Sequence, residues 1–577
     1  MSEESMRYAN EPADAFTPEV GVSASAETGY FLVRKHSLES ADDQYLAWRE
    51  VRDLTGISPK EVTLEEASAA CGVDLRKFDV PRFGIFYINW SGDIEILVTR
   101  LAFWDLVVDV RSAASPVRKV QSAAFEDTVF VQNPTAVLSE PTFQLSPATR
   151  RKNSYLTHNF HKYKAKFFPR LARSLINMTA NDQNAVVLDP FCGSGTTNVE
   201  AGLMGYRSIG VDLDPLSVFI SRTKASISEI SDQNAEGNIR ELVKRYSQSE
   251  GLPLFSGTSR VASRFEMPKF LSVRKPKRLP EDAITAIEEE VNRVLSQIDE
   301  VEDEFLVTLS KLALSHAIST KISLRWMGTG DDRFALEIGK RTITSVMLSQ
   351  LKMYAEKARS ATLIREQGGF NSFVDPQFQV GSALRLPLGD CSVDSIVTSP
   401  PYLPAASGRE TYLRSRAASL VALGLMTEDE VLAAEHDIMG SVLATGTAAT
   451  STVPPMVLEL TDWMLPQRAR SPKALPTIAY FENLRRSLVE MNRVLKPGGK
   501  GAMVVSKEHV FWELVSRKIV RRFNMAAAVS EIIEGEKYGV GMRVDEVINL
   551  ELPKMDFAAR PGAKHAYAES IIIFQKL

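Results

Sequence analysis

Residues 399–402 of the chain, Ser-Pro-Pro-Tyr, follow the apolar run 394–398, whose composition is typical of a β-strand. Pro400 and Pro401 cannot donate hydrogen bonds to a sheet and fix φ at two successive positions, so the strand must end there. The sequence therefore predicts a rigid platform with carbonyl groups available to accept hydrogen bonds and the ring of Tyr402 at its tip.

A second segment that could bind a ligand, LDPFCGSGTTNVEA, occupies residues 188–201. A predicted strand ends at Asp189, Gly193 and Gly195 follow, and a helix then begins. Such a turn brings backbone N–H groups and the positive end of a helix close to a ligand, which suits a nucleotide-like cofactor. Dinucleotide sites use a similar turn, and a tight turn without a ligand is the structural alternative. A phosphate-binding P-loop is disfavoured because no Gly-Lys-Ser/Thr follows.

The next predicted strand, RSIGVD, ends at Asp212, whose carboxylate could accept hydrogen bonds from ribose hydroxyls. Asp214 is the competing candidate, and its structural alternative is to cap a helix that begins at Pro215.

The order of predicted elements favours an α/β fold. Strand, helix and strand at 185–212 imply a parallel, right-handed crossover, and the last two strands suit an antiparallel hairpin at the sheet edge. We expect a doubly wound, Rossmann-like sheet with this terminal hairpin, helical insertions and a small N-terminal α+β domain.

The expected boundaries follow from composition. Residues 1–28 are polar and predicted to be disordered, 29–114 form the α+β domain, 115–146 a linker and 147–577 the catalytic domain. Within the small domain, Thr63 and Glu66 predict a capping box and Gly72 a helix stop. Residues 83–104 predict two strands around a turn at 91–93. The catalytic domain carries insertions at 226–375 and 403–475.

Composition restricts the function classes. The chain has 577 residues and a net charge of −4 from 68 basic and 72 acidic residues, so nucleic-acid binding would require local patches. Three cysteines show neither zinc nor disulfide spacing, and we expect no metal. The N-terminus resembles no signal peptide, and no apolar run could span a membrane. We expect a bacterial cytoplasmic protein without a membrane partner.

Three motifs together, DPFCGSGTT, GVDLDP and TSPPY, resemble the S-adenosylmethionine-dependent DNA amino-methyltransferases, which methylate exocyclic nitrogens of cytosine or adenine. The resemblance covers 150–225 and 375–577. It implies S-adenosylmethionine as the cofactor. It also implies cofactor contacts along residues 161–176 and at the motif positions, namely His161, Lys166, Phe168, Pro169, Asp189, Pro190, Phe191, Gly193, Gly195, Thr196 and Asp212.

One position departs from the family. Where the family has an acidic residue at the end of the third strand, near the cofactor adenine, this chain has Gly381-Ser382. Ser382 can still hydrogen-bond an amine, but without charge assistance.

The resemblance implies that the first and fourth strands are neighbours, so that residues 399–402 face the cofactor methyl group. The Ser399 side chain and the Pro400 carbonyl would accept the hydrogens of the target amine, and Tyr402 would stack on a flipped base. The absence of a Pro-Cys pair disfavours carbon methylation. Serine at position 399 favours cytosine N4 in this family, with adenine N6 as the alternative.

The implied partner is double-stranded DNA with a flipped target base, together with a possible restriction endonuclease or defence-system partner. The region 226–375 is the first candidate for target recognition and 403–475 the second. Clustered cations indicate possible phosphate contacts at Arg274, Lys275, Lys277, Arg278, Arg325, Arg409, Arg414 and Arg416. Two further alternatives are an RNA guanine-N2 methyltransferase and an inactive DNA-binding protein.

Overall fold

The structure is a computed structural model of the 577-residue chain. It describes residues 28–35, 41–72, 74–78, 84–112, 117–127, 155–163, 167–180, 182–248, 265–272, 281–326, 334–403, 413–441, 450–513, 518–550 and 569–577.

The N-terminal unit is a five-stranded antiparallel sheet with the order β2-β3-β1-β4-β5. Its elements are β1 (Tyr30–Arg34), α1 (Ala41–Thr55), β2 (Lys60–Val62), α2 (Leu64–Cys71), β3 (Ile85–Ile88), α3 (Ile94–Arg100), β4 (Trp104–Asp109), β5 (Val117–Lys119) and α4 (Gln121–Asp127). β5 and α4 lie in the range that composition had indicated as a linker.

The capping box at α2 is confirmed: Thr63 accepts from the Glu66 N–H, Glu66 accepts from the Thr63 N–H, and Gly72 ends the helix at φ 66°. The predicted second strand, however, is wrong over residues 94–100. These residues form α3 because the Asp93 side chain, which we had placed in a turn, accepts from the Glu95 N–H and caps a helix.

The second unit contains the remaining helices and strands. In chain order they are α5 (Pro169–Thr179), β6 (Val186–Asp189), α6 (Thr196–Leu203), β7 (Arg207–Asp212), α7 (Pro215–Ala225), α8 (Ile227–Ile230), α9 (Ala235–Gln248), α10 (Lys269–Ser272), α11 (Glu281–Asp299), α12 (Glu304–Lys321), β8 (Ile322–Trp326), β9 (Phe334–Ile338), α13 (Ile343–Glu366), β10 (Gln377–Val380), β11 (Val393–Thr398), α14 (Ala417–Ala422), α15 (Glu428–Ala434), α16 (Pro455–Met464), α17 (Ala474–Val494), β12 (Leu495–Ser506), β13 (Glu508–Trp512), β14 (Ile519–Asn524), α18 (Met525–Glu534), β15 (Met542–Leu550) and β16 (Glu569–Lys576). Short 3₁₀ segments lie at Leu75–Phe78, Arg414–Arg416, Thr450–Thr452, Ser471–Lys473 and Glu536–Tyr538.

The seven-stranded sheet has the order β10-β7-β6-β11-β12-β16-β15. The strands from β10 to β12 pair in parallel, whereas β16 is antiparallel to both β12 and β15. The expected doubly wound sheet with a terminal antiparallel hairpin is therefore confirmed. The order reverses between β6 and β11, which is where ligands bind in such sheets.

Alternating side chains of the sheet serve two cores. Val187, Val397 and Val504 pack with Trp104 and Leu46 of the N-terminal unit, so that unit covers one face. Leu188, Ile396 and Met503 face the opposite way and pack with Tyr480 and Phe481 of α17. The insertion helices α9 and α11–α13 build a third core against Leu216, Val218 and Ile220 of α7.

Candidate active site

The glycine loop between β6 and α6 requires glycine at two positions. Gly193 and Gly195 have φ values of 52° and 70°, and a Cβ at Gly195 would lie 2.8 Å from the Ser221 side chain. Gly195 is the N-cap of α6 and offers no side-chain cap, and the buried Thr196 hydroxyl has no hydrogen-bond partner among the described residues. Donors without partners at a helix N-terminus fit a polar ligand.

Asp189 lies at the end of β6 and is fully buried. Its Oδ1 accepts from the Thr398 hydroxyl at 2.6 Å and from the Phe191 N–H at 3.1 Å. Burial raises the pKa of Asp189 to about 6, although the Thr398 hydrogen bond opposes this shift. The predicted residue Asp189 thus fixes the loop that contains Pro190 and Phe191 and also touches the strand of the Ser-Pro-Pro-Tyr platform.

Asp212, at the tip of β7, holds the glycine loop from the other side. Its Oδ2 accepts from the Gly193 N–H at 2.8 Å, and its Oδ1 accepts from the Asp214 N–H at 2.9 Å. Burial and the nearby Asp214 raise the pKa of Asp212 to about 7. A half-buried carboxylate directly against the loop is where a ribose acceptor is expected.

Asp214 has the helix-capping role that we weighed as its alternative. Its side chain accepts from the Leu216 N–H at 2.9 Å at the start of α7. It also pairs with the Arg416 guanidinium, which donates to Ser217 Oγ at 3.0 Å as well. Arg416, predicted as a DNA contact, therefore lies largely buried beside the glycine loop, and this position disfavours contact with DNA.

Tyr163 was not among the predicted site residues. Its hydroxyl lies 3.0 Å from Ser217 Oγ, and its ring lies 4.4 Å from the Arg416 guanidinium carbon. A Cβ at Gly193 would come within 3.1 Å of the Tyr163 hydroxyl, so this ring covers the glycine loop. The signal in the sequence was an aromatic residue inside the family-like segment 161–176.

The other residues of that segment differ in role. Both ring nitrogens of His161 are used within the protein, at 2.9 Å from the Lys162 carbonyl and 3.0 Å from Ser315 Oγ. Burial lowers the pKa of His161 to about 3, so the ring is a neutral packing group. Phe168 and Pro169 begin α5, and Lys166 lies outside the described residues.

The platform follows β11 directly. Ser399, Pro401 and Tyr402 are half-buried and Pro400 is buried. The Pro401 carbonyl accepts from the Tyr480 hydroxyl at 2.8 Å, which fixes the platform to α17. Because this bond uses Pro401, the Ser399 side chain and the Pro400 carbonyl remain the acceptors that we expect to face a substrate amine.

The glycine loop and the platform emerge from neighbouring strands, as expected. β6 and β11 pair in parallel with Val187 opposite Ser395 and Leu188 opposite Ile396. Their carboxyl ends therefore lie side by side, although 209 residues separate Thr398 from Asp189.

Ser382 lies just beyond β10, next to the end of β7. The Gly381 N–H donates to the Asp212 carbonyl at 2.9 Å, and the Ser382 hydroxyl accepts from the Leu384 N–H at 3.2 Å. The hydroxyl therefore already has a local partner in its own turn.

The expected DNA contacts are mostly outside the described part of the chain. Arg325 is in β8 but its side chain is not described, and Arg414 lies 5.9 Å from the Phe270 ring. Five of the expected contacts lie outside the described residues: Arg274, Lys275, Lys277, Arg278 and Arg409.

A buried polar cluster around Glu200 of α6 was also missed. Glu200 accepts from Tyr155 at 2.7 Å and Arg173 at 2.8 Å, and lies 2.6 Å from His158. Burial would raise the pKa of Glu200, but Arg173 and His158 outweigh it and lower the pKa to about 2. Arg173 also donates to the Thr99 carbonyl, so this cluster joins the helix after the glycine loop to the N-terminal unit.

The described residues contain no group of three or more His, Cys, Asp and Glu side chains that could hold a metal ion. Nor do they include a helix long and apolar enough to cross a membrane.

A family model described as DNA methylase matches residues 104–221, which include the glycine loop and Asp212. The chain is 24% identical over 414 residues to a Type II methyltransferase of Kocuria varians, covering 67% of this chain and 82% of that protein. It is 25% identical over 285 residues to a Type II methyltransferase of Geobacillus stearothermophilus, covering 46% of this chain and 53% of that protein.

Shorter and more distant similarities also exist. A tRNA (guanine(10)-N2)-dimethyltransferase of Methanocaldococcus jannaschii is 34% identical over 95 residues, covering 16% of this chain and 25% of that protein. Among solved structures, TrmN from Thermus thermophilus matches 95% of this chain and 99% of its own length at 11% identity, with a TM-score of 0.30. The family model and the two bacterial relatives confirm the resemblance inferred from the motifs.

Proposed function

We propose that this S-adenosylmethionine-dependent methyltransferase, which is similar to the N4/N6 family of DNA amino-methyltransferases, transfers a methyl group to N4 of cytosine in duplex DNA. The observation that carries the proposal is the adjacency of two strand ends. One presents the glycine loop and the other presents Ser399-Pro400-Pro401-Tyr402.

The residues present fit the cofactor. A Cβ at Gly193 or Gly195 would meet the Tyr163 or Ser221 side chain, so the loop requires glycine there, and the unpartnered hydroxyl of Thr196 lies at the start of α6. Asp212 would accept the ribose hydroxyls, while Tyr163 and Arg416 close the side of the pocket. When bound, S-adenosylmethionine supplies an activated methyl group on a sulfonium.

The protein's task is then to make a poor nucleophile react. A base amine is conjugated with its ring, so acceptors on its hydrogens favour the positive charge that develops on nitrogen in the transition state. The Ser399 side chain and the Pro400 carbonyl have that role, held in place by the Tyr480 bond to Pro401. Tyr402 stacks on the flipped base, a contact worth about 1–3 kcal/mol.

The preference for cytosine over adenine rests on Ser399. In this family, serine at the start of the motif resembles the cytosine-N4 branch, whereas most adenine-N6 enzymes have an aspartate or asparagine. Adenine N6 is therefore the second candidate.

The experiment is direct. The protein is incubated with methyl-labelled S-adenosylmethionine and duplex DNA of varied sequence, and the DNA is digested to nucleosides. We expect label in N4-methyl-2′-deoxycytidine; recovery in N6-methyl-2′-deoxyadenosine alone would replace cytosine by adenine and retain the platform mechanism.

The specific observation favouring an RNA substrate is the local match to tRNA guanine-N2 dimethyltransferases, although it covers only 16% of this chain. An RNA arm in the same assay tests it, because label in RNA and not in DNA would reverse the ranking. A DNA-binding protein without activity is the third candidate, and failure to bind the cofactor in calorimetry would favour it.

The proposed function also bears on which regions read the target sequence, on the partner and on the location of the protein. The two inserted regions are candidates for reading the target sequence, with 226–375 ahead of 403–475. The bacterial relatives are Type II methyltransferases, which supports a restriction endonuclease or defence-system partner and a bacterial cytoplasmic location.

A further inference from the structure

Trp463, at the end of α16, is contacted by two arginines from different parts of the chain. The Arg470 guanidinium carbon lies 5.0 Å from the indole ring and that of Arg521, on β14, lies 5.2 Å from it. Phe511 packs edge-on against the same ring at 5.3 Å. The ring thus concentrates two positive charges at one point, which favours an anionic partner.

The surroundings of Trp463 are exposed and basic. Arg468 is exposed, and Leu465 is 53% exposed. Within the described residues Arg521 makes no ion pair, whereas its neighbour Arg522 pairs with Glu508 at 2.6 Å. Along the chain, the acidic residue nearest to Trp463 is Asp462, and the one nearest to Arg521 is Glu513. Residues 463–475 themselves contain three basic residues and no acidic one.

This surface is joined to the platform by a short series of contacts. Phe523, two residues after Arg521 on the same face of β14, packs against Phe481 with ring centroids 5.8 Å apart. Phe481 follows Tyr480 in α17, and the Tyr480 hydroxyl holds the Pro401 carbonyl. Arg521 therefore lies on the strand that packs against the helix holding the platform.

We propose that Trp463, Leu465, Arg468, Arg470 and Arg521, the Trp463 surface, bind the phosphate backbone of duplex DNA beside the flipped base. The inference rests on the proposed function and adds to it a DNA-binding surface that none of the sequence motifs indicated. Guanidinium groups ordered on an aromatic ring hold their donors in place for phosphate oxygens. Such contacts position the duplex and carry no sequence information.

The test compares two adjacent arginines. Arg521→Gln removes a stacked guanidinium, whereas Arg522→Gln, the matched control on the same strand, removes one already paired with Glu508. Binding of fluorescent duplexes, one with and one without the methylation target, is measured over a series of salt concentrations. Cofactor affinity is measured alongside by calorimetry.

We expect Arg521→Gln to weaken binding of both duplexes alike and to lower the slope of log affinity against log salt by about one. Cofactor affinity and the Arg522→Gln slope should match wild type. Should Arg521→Gln unfold, the exposed Arg468→Gln replaces it.

Failure of this inference and failure of the proposed function give different results. If the wild-type enzyme methylates duplex DNA and Arg521→Gln keeps the wild-type slope, only the Trp463 surface is wrong. If the wild-type enzyme neither binds nor methylates duplex DNA, the proposed function fails and this inference with it.

Discussion

The hydroxyl of Thr398, the last residue of β11, donates a 2.6 Å hydrogen bond to Oδ1 of Asp189, the last residue of β6. This bond joins the strand that presents the substrate platform to the strand that presents the glycine loop. Both side chains are buried, so water cannot replace the bond if it is lost.

Thr398→Val keeps the shape of the side chain and removes the donor. We expect the free energy of unfolding to fall by about 1–3 kcal/mol, because a buried acceptor is left with one bond fewer. The pKa of Asp189 should rise further, since the Thr398 bond opposes the effect of burial. Denaturant unfolding measures the first effect. Thr398→Ser keeps the donor and is the control, so it should stay near wild type; a Thr398→Val variant as stable as wild type would contradict the importance of the hydrogen bond.

Cofactor affinity should depend on pH through Asp212. The folded-state pKa of Asp212, about 7, lies above the ordinary 3.8, so folding favours the protonated form. The stability that this preference contributes is fully present below about pH 3.8 and is lost as pH rises through about 7. The ionised carboxylate is the better acceptor for ribose hydroxyls. Affinity for S-adenosylmethionine should therefore increase from about pH 6 to about pH 8 and then level off.

Asp212→Asn is the control for this profile. It keeps an acceptor oxygen and cannot titrate, so its affinity should be lower than wild type and nearly constant over the same range. A wild-type affinity that is flat with pH would contradict the assignment of Asp212, as would a sloping profile in the variant.

Arg416 should act on the cofactor site through its charge. It pairs with Asp214 in a largely buried position and lowers the pKa of the neighbouring Asp212. Arg416→Gln should destabilise the protein by about 3–5 kcal/mol, because Asp214 loses its counter-charge. It should also move the midpoint of the cofactor pH profile upward. The double variant Arg416→Gln/Asp214→Asn should recover part of both effects; no recovery would mean that packing against Tyr163 dominates.

Ser382→Asp tests the departure from the family. An aspartate at this turn can still accept the Leu384 N–H, as serine does, and can give the cofactor amine a charge-assisted bond. We expect affinity for S-adenosylmethionine to increase several-fold in calorimetry, while Ser382→Ala leaves it near wild type. A weaker-binding Ser382→Asp would place the cofactor adenine elsewhere.

The local features of the fold could be predicted from sequence because their signals lie within a few residues. The glycine loop, the Thr63–Glu66 capping box and the strand stop at Pro400 all depend on neighbours in the chain. The same local reasoning failed at residues 94–100, where an apolar, β-branched run resembled a strand. The cap formed by Asp93 decided for a helix.

The family resemblance implied that β6 and β11 are neighbours, but side-chain pairings between distant residues could not be predicted. Arg416 and Asp214 are 202 positions apart, and nothing near Arg416 in the sequence indicates that it pairs with Asp214. The Glu200 cluster has the same origin, because its three partners come from other segments. Such contacts are determined by the packing of whole elements, which the motif spacing alone does not specify.

The central claim is that the two adjacent strand ends have separate tasks, binding the cofactor and holding the base. The most direct test is the rate of methyl transfer to duplex DNA by Tyr402→Ala at saturating S-adenosylmethionine, with Asp212→Ala measured beside it and cofactor affinity determined for both. The account predicts that Tyr402→Ala binds the cofactor like wild type but transfers methyl groups about 10- to 100-fold more slowly, in line with the loss of one stacking contact. Asp212→Ala should mainly lose affinity. A full-rate Tyr402→Ala enzyme, or one that loses cofactor binding as severely as Asp212→Ala while folded, would contradict the claim.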